Sequence, residues 1–115
     1  MKELEYKKPY DLNSLIIAIA INNYKKDNFC VYTKDYTEKA TAELICYLDK
    51  YPVIDDNDEE IFPDYVLDND LELFFYGEQF EDVLRNILSQ KSNPVIDDFI
   101  AGLNYYLKND AFITL

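Results

Sequence analysis

The first strong pattern in the chain is an apolar run that follows Asp11. Leu12, Leu15 and Ile16 recur at helical spacing, and Asp is a residue type that caps helix N-termini. Residues 15–21 (LIIAIAI) make the middle of this segment apolar on nearly every side. Because a helix that is apolar all round is usually buried, we expect a buried N-terminal helix that starts near residue 11.

The next segments carry strand signals. Residues 28–33 (NFCVYT) are β-branched and aromatic, which predicts a strand with two distinct faces. One face would carry Phe29, Val31 and Thr33, and the other Cys30 and Tyr32. Residues 41–49 fit both a helical and an alternating pattern. A lone strand needs a partner, and residues 44–48 are a natural one, so the residues alone leave helix and strand equally supported there.

The C-terminal half predicts two helices. Residues 71–76 (LELFFY) suggest a short strand or an apolar lead-in, which Gly77 ends. The first helix would bury Phe80, Val83, Leu84, Ile87 and Leu88 on one face. The second would start with Asn93 as N-cap and Pro94 at its first position, and would bury Ile96, Phe99, Ile100, Leu103, Tyr106 and Leu107. The short connection predicts an antiparallel αα-hairpin, and Gly102 predicts close approach to a neighbouring helix.

These patterns predict one α+β domain over residues 1–115, with a buried N-terminal helix, a small antiparallel sheet and a C-terminal αα-hairpin. Residues 1–10 are polar and mixed in charge, so we expect an arm that is ordered only if something holds it. Residues 52–70 contain two prolines and a dense Asp/Asn series. We expect a long acidic loop there, with at most a short turn at 62–67.

Charge changes the picture of that loop. Residues 51–84 hold twelve acids and no Lys or Arg, and the rest of the chain sums to zero, so the formal charge of −12 belongs to this segment alone. Seven aromatic residues lie within it, which a merely solvating acidic tail would lack. The last three acids, Glu78, Glu81 and Asp82, are explained by the start of the following helix. The functional prediction therefore contracts to residues 55–72.

The chemistry of common active sites is missing. The chain has no His, which removes the usual general base and most zinc sites, and its single Arg gives little grip on an anionic substrate. Asp56, Asp58 and Glu60 have the spacing of an EF-hand loop start, but Ile61 and Leu67 occupy its two most specific positions. We therefore expect no enzyme activity, no cofactor and no dedicated metal site.

The N-terminal residues do not form a signal peptide. Without export, Cys30 and Cys46 are expected to be free thiols rather than a disulfide, and the expected compartment is the cytoplasm. Tyr51, Tyr65 and Tyr76 lie within the acidic segment, and their residue type suits an interface or the edge of a core equally well.

The C-terminal string FEDVLRNILSQKSNPVIDDFIAGLNYYLKNDAFI resembles a group of small bacterial proteins classed as a domain of unknown function. Some of its members look like immunity proteins of contact-dependent growth inhibition and related polymorphic toxin systems. The features that carry the resemblance are EDV with Asn86 after it, Gln90-Lys91 with Asn93-Pro94, and the closing LNYYLKNDAFI. The upstream IFPDYVLDNDLELF is a looser match. In that group a strand lies where residues 44–48 fall, which favours the strand here.

The resemblance implies a cytosolic protein that binds one cognate toxin and blocks it. Such toxins are often nucleases, which are basic because they bind phosphates. We therefore predict an immunity protein whose acidic surface covers the basic cleft of a nuclease toxin, without direct contact to nucleic acid or membrane. The alternative is an acidic nucleic-acid mimic or interaction module acting on a DNA-binding protein. The predicted partner-binding residues are Asp55, Asp56, Asp58, Glu59, Glu60, Asp64 and Tyr65, followed by Asp68, Asp70 and Glu72.

Overall fold

A computed structural model describes residues 3–115 of the chain. Its strands are Pro9–Asp11 (β1), Cys30–Thr33 (β2), Ile45–Asp49 (β3), Val53–Ile54 (β4), Glu60–Ile61 (β5) and Glu72–Tyr76 (β6). Its helices are Leu12–Ile16 (α1), Asp64–Asp68 (α2), Gly77–Gln90 (α3) and Ile96–Asn109 (α4), and a π-helical turn, Ile17–Ile21, continues α1. Together they confirm the α+β class and the C-terminal helix pair.

A four-stranded antiparallel sheet in the order β1-β3-β2-β6 forms the middle of the molecule. The central strand β2 places Val31 opposite Leu48 of β3 and opposite Phe75 of β6. The undecided segment 41–49 therefore contains a strand, because β2 needs hydrogen-bonded neighbours on both sides. The lead-in at residues 71–76 is likewise a strand, at the edge of the sheet.

One face of the sheet carries the main core. Helices α1, α3 and α4 cover it, and α3 packs on α4 along its length. Phe29 and Val31 project to this side, whereas Cys30 and Tyr32 project to the other, as the alternation of residues 28–33 predicted. The core residues supplied by the two C-terminal helices are Phe80, Val83, Leu84, Ile87, Phe99 and Leu103.

The N-terminal helix is shorter and less enclosed than its composition predicted. The carboxylate of Asp11 accepts a hydrogen bond of 2.7 Å from the backbone N–H of Ser14, which confirms the predicted cap. Leu12, Leu15 and Ile16 are buried, but the π-helical turn that follows buries no residue, and Ile21 is 55% exposed. The sheet and the other helices thus bury the first residues of the apolar run and leave its end exposed.

Residues 3–10 are held against the body of the protein rather than forming a free arm. Leu4 is buried in the main core, the backbone N–H of Lys7 donates to the carbonyl of Leu48 at 2.8 Å, and Pro9 to Asp11 pair with β3. Pairing with the open edge of β3 is thus what orders this segment. Residues 1 and 2 of the expected arm lie outside the described residues.

The helix pair confirms one detailed expectation and corrects another. A Cβ added at Gly102 would lie 2.9 Å from Cδ1 of Ile87, so the glycine does allow α4 to approach α3 closely. The second helix, however, begins after Val95 and not at Asn93. The carboxylate of Asp98 reaches back to the backbone N–H of Val95 at 2.8 Å and supplies the cap in place of Asn93. None of the helices within residues 3–115 is long and apolar enough to cross a membrane.

Candidate functional site

The second face of the sheet is covered by residues 51–71, which we call the acidic cap. The cap has more regular structure than the long acidic loop with a short turn that the sequence predicted. Strands β4 and β5 form a short antiparallel hairpin in which Val53 lies opposite Ile61, and α2 follows close to the predicted turn at 62–67. Val66 and Leu71 of the cap are buried against the sheet side chains Tyr32 and Tyr47.

Aromatic rings attach the cap to the sheet. Phe62 meets Tyr32 edge-on at 6.1 Å between ring centroids, and the ring of Tyr65 lies 6.4 Å from that of Tyr47. Aromatic pairs at these separations add to the stabilisation from buried area. Tyr65, predicted as a partner-binding residue, is half-buried and therefore serves mainly to hold α2 on the sheet.

Asp55 shapes the tip of the hairpin. Its Oδ1 accepts hydrogen bonds from the backbone N–H groups of Asn57 at 2.8 Å and Glu59 at 2.9 Å. Its own N–H donates to the carbonyl of Glu59 at 3.0 Å. A carboxylate that bonds its own loop in this way closes a turn. The predicted partner-binding role of Asp55 therefore competes with a structural one.

Two other predicted residues occupy turn conformations. Asp58 and Asp70 have φ values of 61° and 53°, in the left-handed region that Asp and Asn tolerate better than most residues. Asp58 is in the hairpin tip, and Asp70 lies between α2 and β6. Backbone geometry alone explains an Asp at each position, while both carboxylates remain exposed to a partner.

The remaining predicted acids point outward. Eight of the ten predicted residues are exposed: Asp56, Asp58, Glu59, Glu60, Asp64, Asp68, Asp70 and Glu72. These acids are carried by the hairpin, by α2 and by the residues from there to the start of β6. Such a concentration of like charge produces a field that attracts basic molecules.

Tyr51 and Tyr76 join the hairpin to the edge of the sheet. Their rings stack at 5.8 Å with an interplanar angle of 17°, and the hydroxyl of Tyr51 accepts from the backbone N–H of Glu78 at 2.9 Å. The hydroxyl of Tyr76 donates to Oε2 of Glu60 at 2.6 Å. This bond to a carboxylate, together with partial burial, raises the pKa of Tyr76 to about 12. These tyrosines are therefore mainly part of the core edge.

Apolar side chains on the cap surface were missing from the sequence prediction. Val53, Ile54, Ile61 and Leu67 are 66%, 60%, 46% and 55% exposed. Val53 and Ile61 lie directly opposite each other in the hairpin, where side chains on neighbouring strands touch. The signal was present in the sequence as the pair Val53-Ile54 between Pro52 and the acids, but only the hairpin brings Ile61 beside it.

No group of three or more Cys, Asp or Glu side chains able to hold a metal ion forms within residues 3–115. The carboxylates of Asp56, Asp58 and Glu60 share EF-hand spacing in the sequence, but the hairpin does not gather them around a common point. Cys30 and Cys46 are free, buried thiols, and they lie on opposite faces of the sheet, which confirms the expectation of free thiols.

Fold and surface together define a small α+β protein with a helix-covered sheet face and an acidic cap. Residues 12–115 match the family model described as "Domain of unknown function (DUF7716)", and the chain belongs to that family. A search of the curated proteins and a search of the solved structures gave no match.

Proposed function

We propose that this protein is an immunity-type inhibitor that binds a basic protein toxin, such as a nuclease domain, through the acidic cap. The observation that carries the proposal is the exposure of eight acidic residues between Asp56 and Glu72, a segment that also exposes the apolar side chains of the hairpin. The family's description names no function, so the proposal rests on the chemistry of this surface and on the sequence resemblance. The protein would act in the cytoplasm.

The carboxylates supply attraction and selection. A nuclease cleft is positively charged because it binds phosphates, and carboxylates form charge-assisted hydrogen bonds with the same Lys and Arg side chains. Clustered charge of this kind raises association rates roughly 10- to 1,000-fold at low salt. It contributes less to holding the complex together, because solvated surface charges are screened.

The apolar residues of the hairpin would slow dissociation of the complex. Val53 and Ile61 lie side by side and exposed, and burying such a pair in a partner's surface removes apolar area from water. Exposed apolar side chains with acids next to them in the chain suit an interface, which usually has a dry centre and a polar rim. The two groups of residues thus have separable effects on binding kinetics.

The test uses the product of the adjacent gene as the partner and measures association and dissociation rates. In the first variant, Asp56, Asp58, Glu59 and Glu60 become Asn or Gln. We expect its association rate to fall about tenfold or more and to lose most of its dependence on salt. The matched control neutralises four exposed acids outside the cap, Asp27, Glu43, Asp97 and Asp110. It should keep the association rate of the unmodified protein and its dependence on salt.

The second variant, Val53→Ser with Ile61→Ser, should raise the dissociation rate with little change in association. Its control is Val95→Ser, because Val95 is 61% exposed but lies at the start of α4. Equal effects of cap and control variants would refute the acidic cap as the binding surface. Capture of a DNA-binding protein unrelated to any toxin would support the nucleic-acid mimic instead.

A further inference from the structure

The carboxylate of Asp49 is an unusual group inside this protein. Asp49 ends β3 on the capped face of the sheet and is only 2% exposed. Its Oδ1 accepts a hydrogen bond of 2.8 Å from the backbone N–H of Lys50, but its Oδ2 is buried without any hydrogen-bond partner. Leaving a buried carboxylate oxygen unpaired is costly, so Oδ2 of Asp49 can still accept a hydrogen bond from a donor or a cation.

A groove lies beside Asp49. It has a volume of about 760 Å³ and is formed where residues 3–7, the segment after the π-helical turn, the end of β3 and the start of α2 meet. Its walls include Tyr6, Tyr24 and Tyr65, and Asp64 lies on the same lining. The charged residues of the lining are four acids and three lysines: Glu3, Glu5, Asp49, Asp64, Lys7, Lys26 and Lys50. The groove therefore combines aromatic surfaces with a small excess of acids, and one of these acids, Asp49, is buried with an oxygen that has no hydrogen-bond partner.

One wall of the groove already binds a cation. The ammonium of Lys26 lies 4.1 Å from the ring centroid of Tyr6. The ring is held in place because its hydroxyl donates to the carbonyls of Asp27 at 3.0 Å and Asn28 at 2.8 Å. Burial, with Asp49 as the next cause, raises the pKa of Tyr6, which agrees with a negative charge close to this ring.

Among the described residues, no Lys or Arg side chain forms an ion pair with Asp49. The three ion pairs within residues 3–115 lie elsewhere: Lys8 with Glu5, Arg85 with Asp82, and Lys91 with Asp98. Lys26 lies over the ring of Tyr6 instead of bonding the carboxylate. The lysine occupies the place where an incoming cation would stack, and its long side chain is free to turn towards solvent.

We propose that this groove binds a guanidinium or primary ammonium group, with the Asp49 carboxylate as its counter-charge and the face of Tyr6 as its stacking surface. Lys26 turns aside as the group enters and uncovers the ring of Tyr6. The source of the group is a basic side chain of the partner, which rests on the proposed function, but the chemistry of the groove does not depend on it. An anion is disfavoured because Asp49 and Asp64 would repel it.

The test titrates the isotopically labelled protein with agmatine, which carries both a guanidinium and an ammonium group. We expect saturable amide shifts confined to Asp49, Lys50 and the residues around Tyr6 and Tyr65. The neutral probe N-butylurea keeps planar N–H donors without charge and should give no saturable shift. Asp49→Asn should weaken agmatine binding at least tenfold, whereas Asp97→Asn, an exposed control, should leave it unchanged.

A Lys26→Gln variant distinguishes a binding role of Asp49 from a purely structural one. Removing the resident cation should strengthen agmatine binding several-fold, because the probe no longer competes with Lys26 for Tyr6. Equal binding of agmatine and butylurea, weaker binding by Lys26→Gln, or undiminished binding by a folded Asp49→Asn would overturn the proposal. The test with the toxin partner is separate. If neutralising the cap abolishes association with the toxin while Asp49→Asn leaves toxin binding unchanged, the groove does not bind a basic side chain of the toxin, and the proposed interface at the cap is retained.

Discussion

The two faces of the sheet are built very differently. The face under α1, α3 and α4 belongs to a cluster of seventeen buried residues within the described chain, whereas the cluster under the acidic cap has five. The helical face is aliphatic with Phe rings at its centre. The capped face depends on Tyr rings with hydroxyls that need partners, such as that of Tyr32, which donates to the carbonyl of Lys50 at 2.8 Å.

The difference separates stability from recognition. Buried apolar area is the main source of folding free energy, so the helical face can hold the sheet together without help from the cap. A thin cap with many exposed acids would stabilise the fold poorly, but it places charge and apolar side chains where another protein can reach them. Regions with little buried area are also those that open most easily.

A matched pair of leucines gives the largest test of this comparison. Leu103 lies in the helical core and is fully buried, whereas Leu71 lies under the cap and is 8% exposed. We expect Leu103→Ala to lower the free energy of unfolding by about 4 kcal/mol and Leu71→Ala by about 2 kcal/mol. Urea denaturation followed by circular dichroism measures both. Equal losses would mean that the cap is as much a part of the core as the helices are.

The two glycines test how closely α3 approaches its neighbours: Gly77 lies against Phe29, and Gly102 of α4 lies against Ile87 of α3. A Cβ at Gly77 would lie only 1.9 Å from the backbone oxygen of Phe29, so the start of α3 would have to move away from β2. We expect Gly77→Ala to cost about 3 kcal/mol. At Gly102 the obstacle is the flexible end of Ile87, and a gain in helix propensity of about 1 kcal/mol offsets it.

Thermal or urea unfolding of Gly77→Ala and Gly102→Ala separates the two cases. The result that contradicts the geometry is a Gly77→Ala protein as stable as Gly102→Ala.

A smaller effect is expected within the cap itself. Asp55→Ala removes the acceptor of two backbone hydrogen bonds and should cost about 1 kcal/mol. Asp56→Ala removes an exposed carboxylate and should change stability by less than about 0.5 kcal/mol. Hydrogen exchange at the amides of Asn57 and Glu59 should accelerate only in the first variant. Similar behaviour of both variants would argue against a closing role for Asp55.

The two buried thiols report on the two faces of the sheet. Cys46 faces the helical core and Cys30 faces the cap. Burial raises the pKa of Cys30 to about 11 and that of Cys46 to about 12, so neither thiol should react in the native state at pH 8. If the cap opens more readily, a thiol reagent should modify Cys30 about ten times faster than Cys46. Single-cysteine variants made with Ala separate the two rates.

The same pKa shifts predict a dependence of stability on pH. Above the ordinary thiol pKa, which is 9.0, the unfolded chain loses thiol protons that the folded protein keeps. Unfolding then releases protons, so the free energy of unfolding should fall as the pH rises from about 9 to about 12. Replacing both cysteines by Ala should flatten part of this decline.

Local patterns predicted much of the helical half. Apolar spacing along α3 and α4 predicted most of the residues that face the core, because a buried helix face must be apolar at every turn; Leu88, which is 38% exposed, is the exception. The alternation of residues 28–33 assigned Phe29 and Cys30 to opposite faces, because successive side chains of an extended chain point to opposite sides. In the segment 41–49 both periods fitted and the residues left the two equally supported; the family resemblance favoured the strand that pairs with β2 in the sheet.

The acidic cap shows where sequence reasoning stopped. The charge and most of the exposed acids were readable from composition, because dense carboxylates repel one another and remain in water. The sequence alone could not tell that Asp55 would bond its own loop, that Tyr65 would pack on Tyr47, or that Ile61 would lie beside Val53. These are pairings between residues that become neighbours only when the hairpin and α2 fold onto the sheet.

The sequence by itself determined the α+β class, the helix pair and the location of the charge, since each follows from a local period or from composition. Tertiary structure alone decided the second core, the apolar hairpin surface and the unpaired Asp49 beside its groove. Each depends on contacts between segments far apart in the chain, such as Tyr65 of α2 with Tyr47 of β3. Local preference does not encode such contacts, because they form only when the sheet brings those segments together.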